Sequence, residues 1–260
     1  MTTLAHIIKK LKSHENVDVV FLTGSQDEKN KSYSDIDLVI ILNKHKHELV
    51  SLYTWIDDKF ADIYFFDHDD LKRIETSKEF PGHAMDAIFV NWLTKSVIQF
   101  DKSGKLSRLK EKITELNKKI VIPQSEKDLL WQKINYNFVA NDRYFESGDP
   151  IYHDALEVRL LYSVSEVFTG YFVFRDILWR GEKTAIKYLK ENDVDFYGAF
   201  AWYTKADNLK DRFNAYVRLV NLVFSVGYQL WNKGDVLPQT KDRSRTNEQE
   251  LIEYWNELTN

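Results

Sequence analysis

Val17-Asp18-Val19-Val20-Phe21-Leu22-Thr23-Gly24-Ser25 is followed after a polar loop by Asp35-Ile36-Asp37-Leu38-Val39-Ile40-Ile41-Leu42. The run from Val17 to Leu22 is apolar and β-branched, which predicts a buried strand, and Gly24-Ser25 closes it with a turn signal. Gly24 tolerates positive φ and carries no Cβ, so a phosphate chain can approach the backbone N–H groups of the turn. The Ser25 hydroxyl can add a hydrogen bond to it. A second strand is predicted from Ile36 to Leu42, headed by carboxylates at Asp35 and Asp37. Two residues apart on an extended chain, they point to the same face. Two hard oxygen ligands beside a phosphate cradle are the donor set that Mg²⁺ takes.

A third acid completes the pattern. Phe60-Ala61-Asp62-Ile63-Tyr64-Phe65-Phe66 predicts another short strand, apolar apart from one carboxylate. An acid in such a run is costly to bury without a purpose. On a strand beside the aspartate pair, Asp62 could bind a second metal and accept the proton of an incoming hydroxyl. The order of turn, pair and lone strand acid points to nucleotidyl transfer.

These residues resemble the polymerase-β-like nucleotidyltransferase superfamily, and within it the two-domain antibiotic nucleotidyltransferases that modify lincosamides or aminoglycosides. The similarity to the lincosamide type runs through Asp62-Ile63-Tyr64-Phe65-Phe66 to Val97-Ile98-Gln99-Phe100-Asp101-Lys102-Ser103-Gly104, and covers about the first 120 residues. The resemblance implies that Gly24 and Ser25 hold the triphosphate, that Asp35 and Asp37 bind Mg²⁺, and that Asp62 is the third carboxylate. It also makes a homodimer reasonable, since relatives build a site across a dimer. One departure is clear: many relatives place a second glycine soon after the Gly-Ser turn, where this chain has Gln26-Asp27-Glu28-Lys29-Asn30-Lys31-Ser32-Tyr33.

Composition narrows the class. The chain has 260 residues, 43% of them hydrophobic, enough for one large or two modest cores. It has no cysteine, which excludes disulfides, thiolate metal sites and a cysteine nucleophile, and is compatible with a reducing cytoplasm. Neither a signal-peptide pattern nor a membrane span of about 18 uncharged apolar residues is present, so the expected location is cytoplasmic. A net charge of −4 gives no general attraction to a polyanion, which favours a small-molecule hydroxyl acceptor over nucleic acid. The local run Lys102, Lys105, Arg108, Lys110, Lys112 is interleaved with Glu111 and Glu115 and reads as a solvated helix face; Lys241, Arg243 and Arg245 form a second basic run.

The organisation changes near Ile120-Val121-Ile122-Pro123. Before it, strand-like runs at 17–23, 36–42, 60–66 and 96–100 alternate with helical patterns at about 3–14, 45–58 and 105–119. That predicts an α/β nucleotidyltransferase domain, residues 1–120, with a small mixed sheet. After it, helical patterns at about 125–146, 152–179, 182–191, 206–232 and 247–258 predict an all-α bundle, residues 121–260, that binds the acceptor. This half holds five of the seven tryptophans and eleven of the fourteen tyrosines. Most are expected in the core, though together they could line a pocket for a sugar or heterocycle. Among its polar residues His153, Asp154, Glu157 and Glu166 are candidates to face a cleft, with capping and charge compensation the preferred reading of Asp154 and Glu157. Lys183 is the candidate cation for the phosphates.

The expected reaction is Mg²⁺-dependent transfer of a nucleoside monophosphate, with ATP the first choice of donor, to a hydroxyl of a small molecule. The alternatives are an antitoxin-like enzyme acting on protein or tRNA, and a non-catalytic nucleotide-binding protein on the same fold.

Overall fold

The computed structural model describes residues 3–24, 34–45, 47, 49–82, 84–115, 119–236, 238 and 247–259. The chain divides into two compact units, Met1–Gln124 and Ser125–Asn260. In chain order the first contains α1 (Leu4–Ser13), β1 (Val17–Thr23), β2 (Ile36–Leu42), β3 (Ser51–Ile56), β4 (Lys59–Asp67), α2 (His68–Thr76), β5 (Glu79–Pro81), α3 (Met85–Thr94), β6 (Val97–Asp101), α4 (Lys105–Glu115) and β7 (Lys119–Val121).

Five strands form a mixed sheet in the order β3-β4-β2-β1-β6, in which β2 and β4 are parallel and the other neighbours antiparallel. Period-two alternation splits the core between the two faces. Val20, Leu38, Ile40, Ala61 and Ile63 pack with Leu4, Ile7, Ile8 and Leu11 of α1. On the opposite face Val19, Phe21, Val39, Ile41 and Phe66 pack with Leu71 and Ile74 of α2, Phe89 and Leu93 of α3, and Leu106 of α4. The sheet is therefore buried on both sides over most of its length, which is why β1 and β2 read as continuous apolar runs.

The helix expected over 45–58 is not there: its described residues hold β3, which forms a hairpin with β4. The two residues between the strands, Asp57 and Asp58, both have positive φ, 51° and 62°. That left-handed pair matches the right-handed twist of antiparallel strands, and aspartate enters it more readily than most residues. Cross-strand pairing with β4 outweighs the helical spacing of Leu49, Tyr53 and Ile56. Helices α2 and α3 also arise where no helix was expected. The start of α2 is fixed by a capping box, with the Asp67 carboxylate accepting from the backbone N–H of Asp69 and Asp70 and the Asp70 carboxylate accepting from that of Asp67.

In the second unit every described element is a helix: α5 (Gln124–Glu146), α6 (Pro150–Val173), α7 (Glu182–Asn192), α8 (Val194–Lys205), α9 (Leu209–Phe224) and α10 (Glu248–Thr259). The cap of α6 is Asp149, whose carboxylate accepts from the Ile151 N–H, with Pro150 at the first helical position; Asp154 is exposed one turn later and does not cap. The patterns at 152–179 and 206–232 run past the true helix ends at Val173 and Phe224, and α8 stands between α7 and α9 where no helix was expected. No helix among the described residues is long and apolar enough to cross a membrane.

Candidate active site

Four residues from four neighbouring strands stand in one row across the sheet. Thr23 of β1 pairs with Asp37 of β2, Asp37 pairs with Asp62 of β4, and Asp62 pairs with Tyr53 of β3. Alternation places Asp37 and Asp62 on the face of Val39 and Tyr64, opposite α1. Both carboxylates are half-buried there.

Gly24 ends β1 with φ 89°, and a Cβ there would lie 2.5 Å from Asp37 Oδ2. The turn therefore brings its backbone against the Asp37 carboxylate, and both the close approach and the positive φ require glycine. Thr23, Gly24, Asp35 and Asp37 also line a cavity of 220 Å³, together with Lys59, whose Nζ donates to Ser34 Oγ at 3.1 Å.

The acids influence one another. Burial, and after it the Asp35 charge, raises the Asp62 carboxyl above its ordinary range, and Asp62 Oδ1 is buried without a hydrogen-bond partner. The Tyr64 hydroxyl is pushed up to about 12 by burial and then by the charges of Asp62, Tyr53, Asp37 and Asp35. At neutral pH Tyr64 is thus a neutral phenol among acids. Its ring lies 4.6 Å from that of Trp92 on α3, which anchors this end of the face.

Among the described residues no group of three or more His, Cys, Asp or Glu side chains is assembled to hold a metal ion. The donor set nonetheless fits Mg²⁺, which binds through one or two carboxylates and completes its shell with water and substrate phosphate. The orphaned Asp62 oxygen and the Asp37 carboxylate against the glycine turn are the observations that carry this fit.

Residues 5–86 match a family model described as polymerase beta, nucleotidyltransferase. Over these residues the chain is similar to the polymerase-β-like nucleotidyltransferases. The match spans α1, β1, β2, β3 and β4, so the whole row from Thr23 to Tyr53 falls within it. Among solved structures, a nucleotidyltransferase-like protein from Exiguobacterium sibiricum 255-15 is similar with a TM-score of 0.46 and 13% identity, over 85% of this chain and 73% of that one. No curated protein matches the chain.

Within the matched segment, Gly24, Asp35, Asp37 and Asp62 come together, while Ser25 and the polar loop after it lie outside the described residues. Lys183 is exposed on the first turn of α7 in the other unit. The remaining candidates of the helical unit have structural partners. His153 Nε2 donates to the Phe145 carbonyl at 3.1 Å, Glu157 pairs with Arg212, and Glu166 accepts from Asn137 Nδ2 at 2.6 Å. The basic run that leads into α4 and continues along it is tied down as well as solvated: Lys102 Nζ, ahead of the helix, donates to the carbonyls of His14 and Val17, Lys110 to Ser96, and Lys112 pairs with Glu75. The second basic run, 241–245, lies outside the described residues. Sequence reasoning missed Tyr53 and Tyr64 as site residues. The signal for Tyr64 was its position two residues after Asp62 on one strand; Tyr53 needed the hairpin.

Proposed function

We propose that the protein transfers a nucleoside monophosphate from a nucleoside triphosphate, ATP in the first instance, to a hydroxyl group of a small molecule, with release of pyrophosphate. The observation that carries this reading is the row from Thr23 and Gly24 through Asp37 to Asp62, which sets a positive-φ glycine and two carboxylates side by side on one face. The acceptor oxygen attacks the α-phosphorus while the bond from that phosphorus to the bridging oxygen breaks, and the electron pair leaves with pyrophosphate. Asp62 takes the hydroxyl proton; a carboxyl raised by burial and a neighbouring charge is a stronger base than an ordinary aspartate. Asp35 and Asp37 would hold Mg²⁺, which when bound neutralises charge on the phosphates. The remaining contribution of the chain is to hold donor and acceptor in line.

Lincosamides and aminoglycosides are the acceptor classes we assign first, on the resemblance, and the negative net charge supports a small acceptor over nucleic acid. Pyrophosphate release with Mg²⁺, each of the four nucleoside triphosphates and a panel of these antibiotics and simpler hydroxylated compounds tests the reading, beside an Asp35→Asn/Asp37→Asn control. Acceptor-dependent release that vanishes in the control is the expected result. Label from α-³²P-ATP appearing in protein or RNA of a bacterial lysate would move the acceptor to a macromolecule. Triphosphate binding with no release for any acceptor would leave a nucleotide-binding protein. In the same assay Lys183→Ala tests the phosphate contact assigned to that lysine, with a raised KM for the triphosphate expected.

A further inference from the structure

We propose that Tyr53, Trp55 and Phe60 form the platform that seats the acceptor, and that the acceptor presents a ring, saturated or aromatic, next to its reacting hydroxyl. The inference rests on the nucleotidyl-transfer reading above and adds to it a place and a chemistry for the second substrate.

Strand β3 is the outer edge of the sheet. The stretch Leu49-Val50-Ser51-Leu52-Tyr53-Thr54-Trp55-Ile56 has no charge and no proline, two of the devices with which proteins usually guard such an edge. Its rings are held outward: Tyr53 is 60%, Trp55 69% and Phe60 43% exposed. They are also ordered against one another. Tyr53 and Phe60 stack with centroids 6.2 Å apart and planes 5° from parallel, and Trp55 meets Phe60 edge-on at 5.6 Å. An exposed apolar patch built from stacked rings has the form of a ligand surface.

Its position selects the occupant. Phe60 lies two residues before Asp62 on β4, and Tyr53 is the direct cross-strand partner of Asp62, so the platform continues the face that carries the proton acceptor. Along the row, Gly24 is at one end, Asp37 and Asp62 are in the middle, and the platform is at the other end. In phosphoryl transfer the attacking oxygen and the leaving group stand in line on opposite sides of the phosphorus. With pyrophosphate leaving toward Gly24, the hydroxyl arrives from the β3 side, past Asp62. The molecule bearing that hydroxyl then rests on Tyr53, Trp55 and Phe60. A sugar ring offers its C–H face to such a surface and an aromatic ring its π face, whereas an acyclic polyol offers neither.

The test uses the full chain and three variants, Trp55→Ala, Tyr53→Ala and Trp55→Phe, all at exposed side chains. Binding of a lincosamide, an aminoglycoside, phenyl β-glucoside and glycerol is measured by calorimetry and saturation-transfer NMR, with Mg²⁺ and the α,β-methylene analogue of ATP present. At least one ring compound is expected to bind, to lose tenfold or more in affinity in Trp55→Ala and Tyr53→Ala, and to recover in Trp55→Phe. The affinity of the nucleotide analogue should stay within twofold throughout. Ring compounds that do not bind, or that bind Trp55→Ala as well as the parent, overturn the proposal. So does a loss of nucleotide affinity in Trp55→Ala, which would make the platform a nucleobase site. A dimer that dissociates in Trp55→Ala, seen by sedimentation, would overturn it in favour of an interface between two copies of the chain. Ring binding that depends on Trp55 without pyrophosphate release from any triphosphate supports the platform and counts against the transfer reaction alone.

Discussion

The role proposed for Asp62 opposes its contribution to stability. Its carboxyl is raised by burial and by Asp35, and one oxygen has no hydrogen-bond partner. A raised carboxyl is favoured in the folded state while protonated, so this group's contribution is fully present below its unfolded value of 3.8 and is lost as pH rises through the folded value. Asp62→Asn should therefore lower kcat about 10²- to 10⁴-fold by removing the proton acceptor. In the absence of metal it should also raise Tm by about 2 °C at neutral pH. That gain should fade as the medium is acidified below the raised carboxyl and vanish once the parent's Asp62 is protonated in both states. Thermal scans of both proteins from pH 3 to pH 8 in EDTA check it, and a gain independent of pH would show that Asp62 carries no folding penalty. Gly24 shows the same economy from the opposite side. Gly24→Ala places a methyl where Asp37 Oδ2 now stands, at positive φ, and should cost about 1–2 kcal/mol in urea unfolding together with most of the transfer activity.

The hairpin of β3 and β4 is the element on which the site depends most and the one the sequence disclosed least. Strands β1 and β2 were legible because burial on both faces leaves an uninterrupted apolar run. Asp62 was legible because an acid in such a run is conspicuous. Strand β3 is half exposed, so its composition carries no burial signal, and its residues fit a helical spacing equally well. Only the turn decides, and an Asp-Asp turn lacks the glycine that marks most left-handed hairpin loops. Asp57 and Asp58 are alike in backbone and unlike in duty, which makes them a test of that turn. Asp57 Oδ2 accepts from the Leu4 N–H at 2.9 Å, an N-terminal donor of α1 with no partner inside the helix. Asp58→Gly should be neutral or stabilise by about 0.5 kcal/mol through relief of the left-handed conformation. Asp57→Gly gains the same relief but loses the bond to α1, and should come out about 1 kcal/mol less stable than Asp58→Gly. Urea titrations of the two variants make the comparison, and equal stabilities would remove the α1 tie from the account of this hairpin. Helices α2 and α3 stayed hidden for a related reason. Helix α3 is apolar almost throughout and gives no amphipathic period to recognise, while α2 spans nine residues with only Leu71 and Ile74 buried, too few turns for its apolar face to stand out.

For the molecule as a whole, two cores raise the question of whether stability is shared. The helical unit is organised around buried polar residues as well as apolar ones. Asn141, fully buried, donates to Ser163 Oγ at 3.0 Å and accepts from Arg159 Nε at 2.7 Å, while Arg159 Nη2 donates to Asn137 Oδ1 at 2.9 Å. In this network α5 supplies the amides and α6 the guanidinium and hydroxyl. Removing one amide leaves a guanidinium N–H and a hydroxyl facing a void, so Asn141→Ala should cost about 2–3 kcal/mol. Where that cost appears depends on cooperativity. Each unit closes its own core, and local opening follows such cores. Amide exchange in Asn141→Ala should therefore accelerate in α5, α6 and α9, while β1 and β2 keep the protection of the parent and nucleotide affinity stays unchanged. Equal acceleration in β1 and β2 would mean that the chain unfolds as one cooperative body, and the site on the sheet would then owe part of its stability to helices that hold none of its acids.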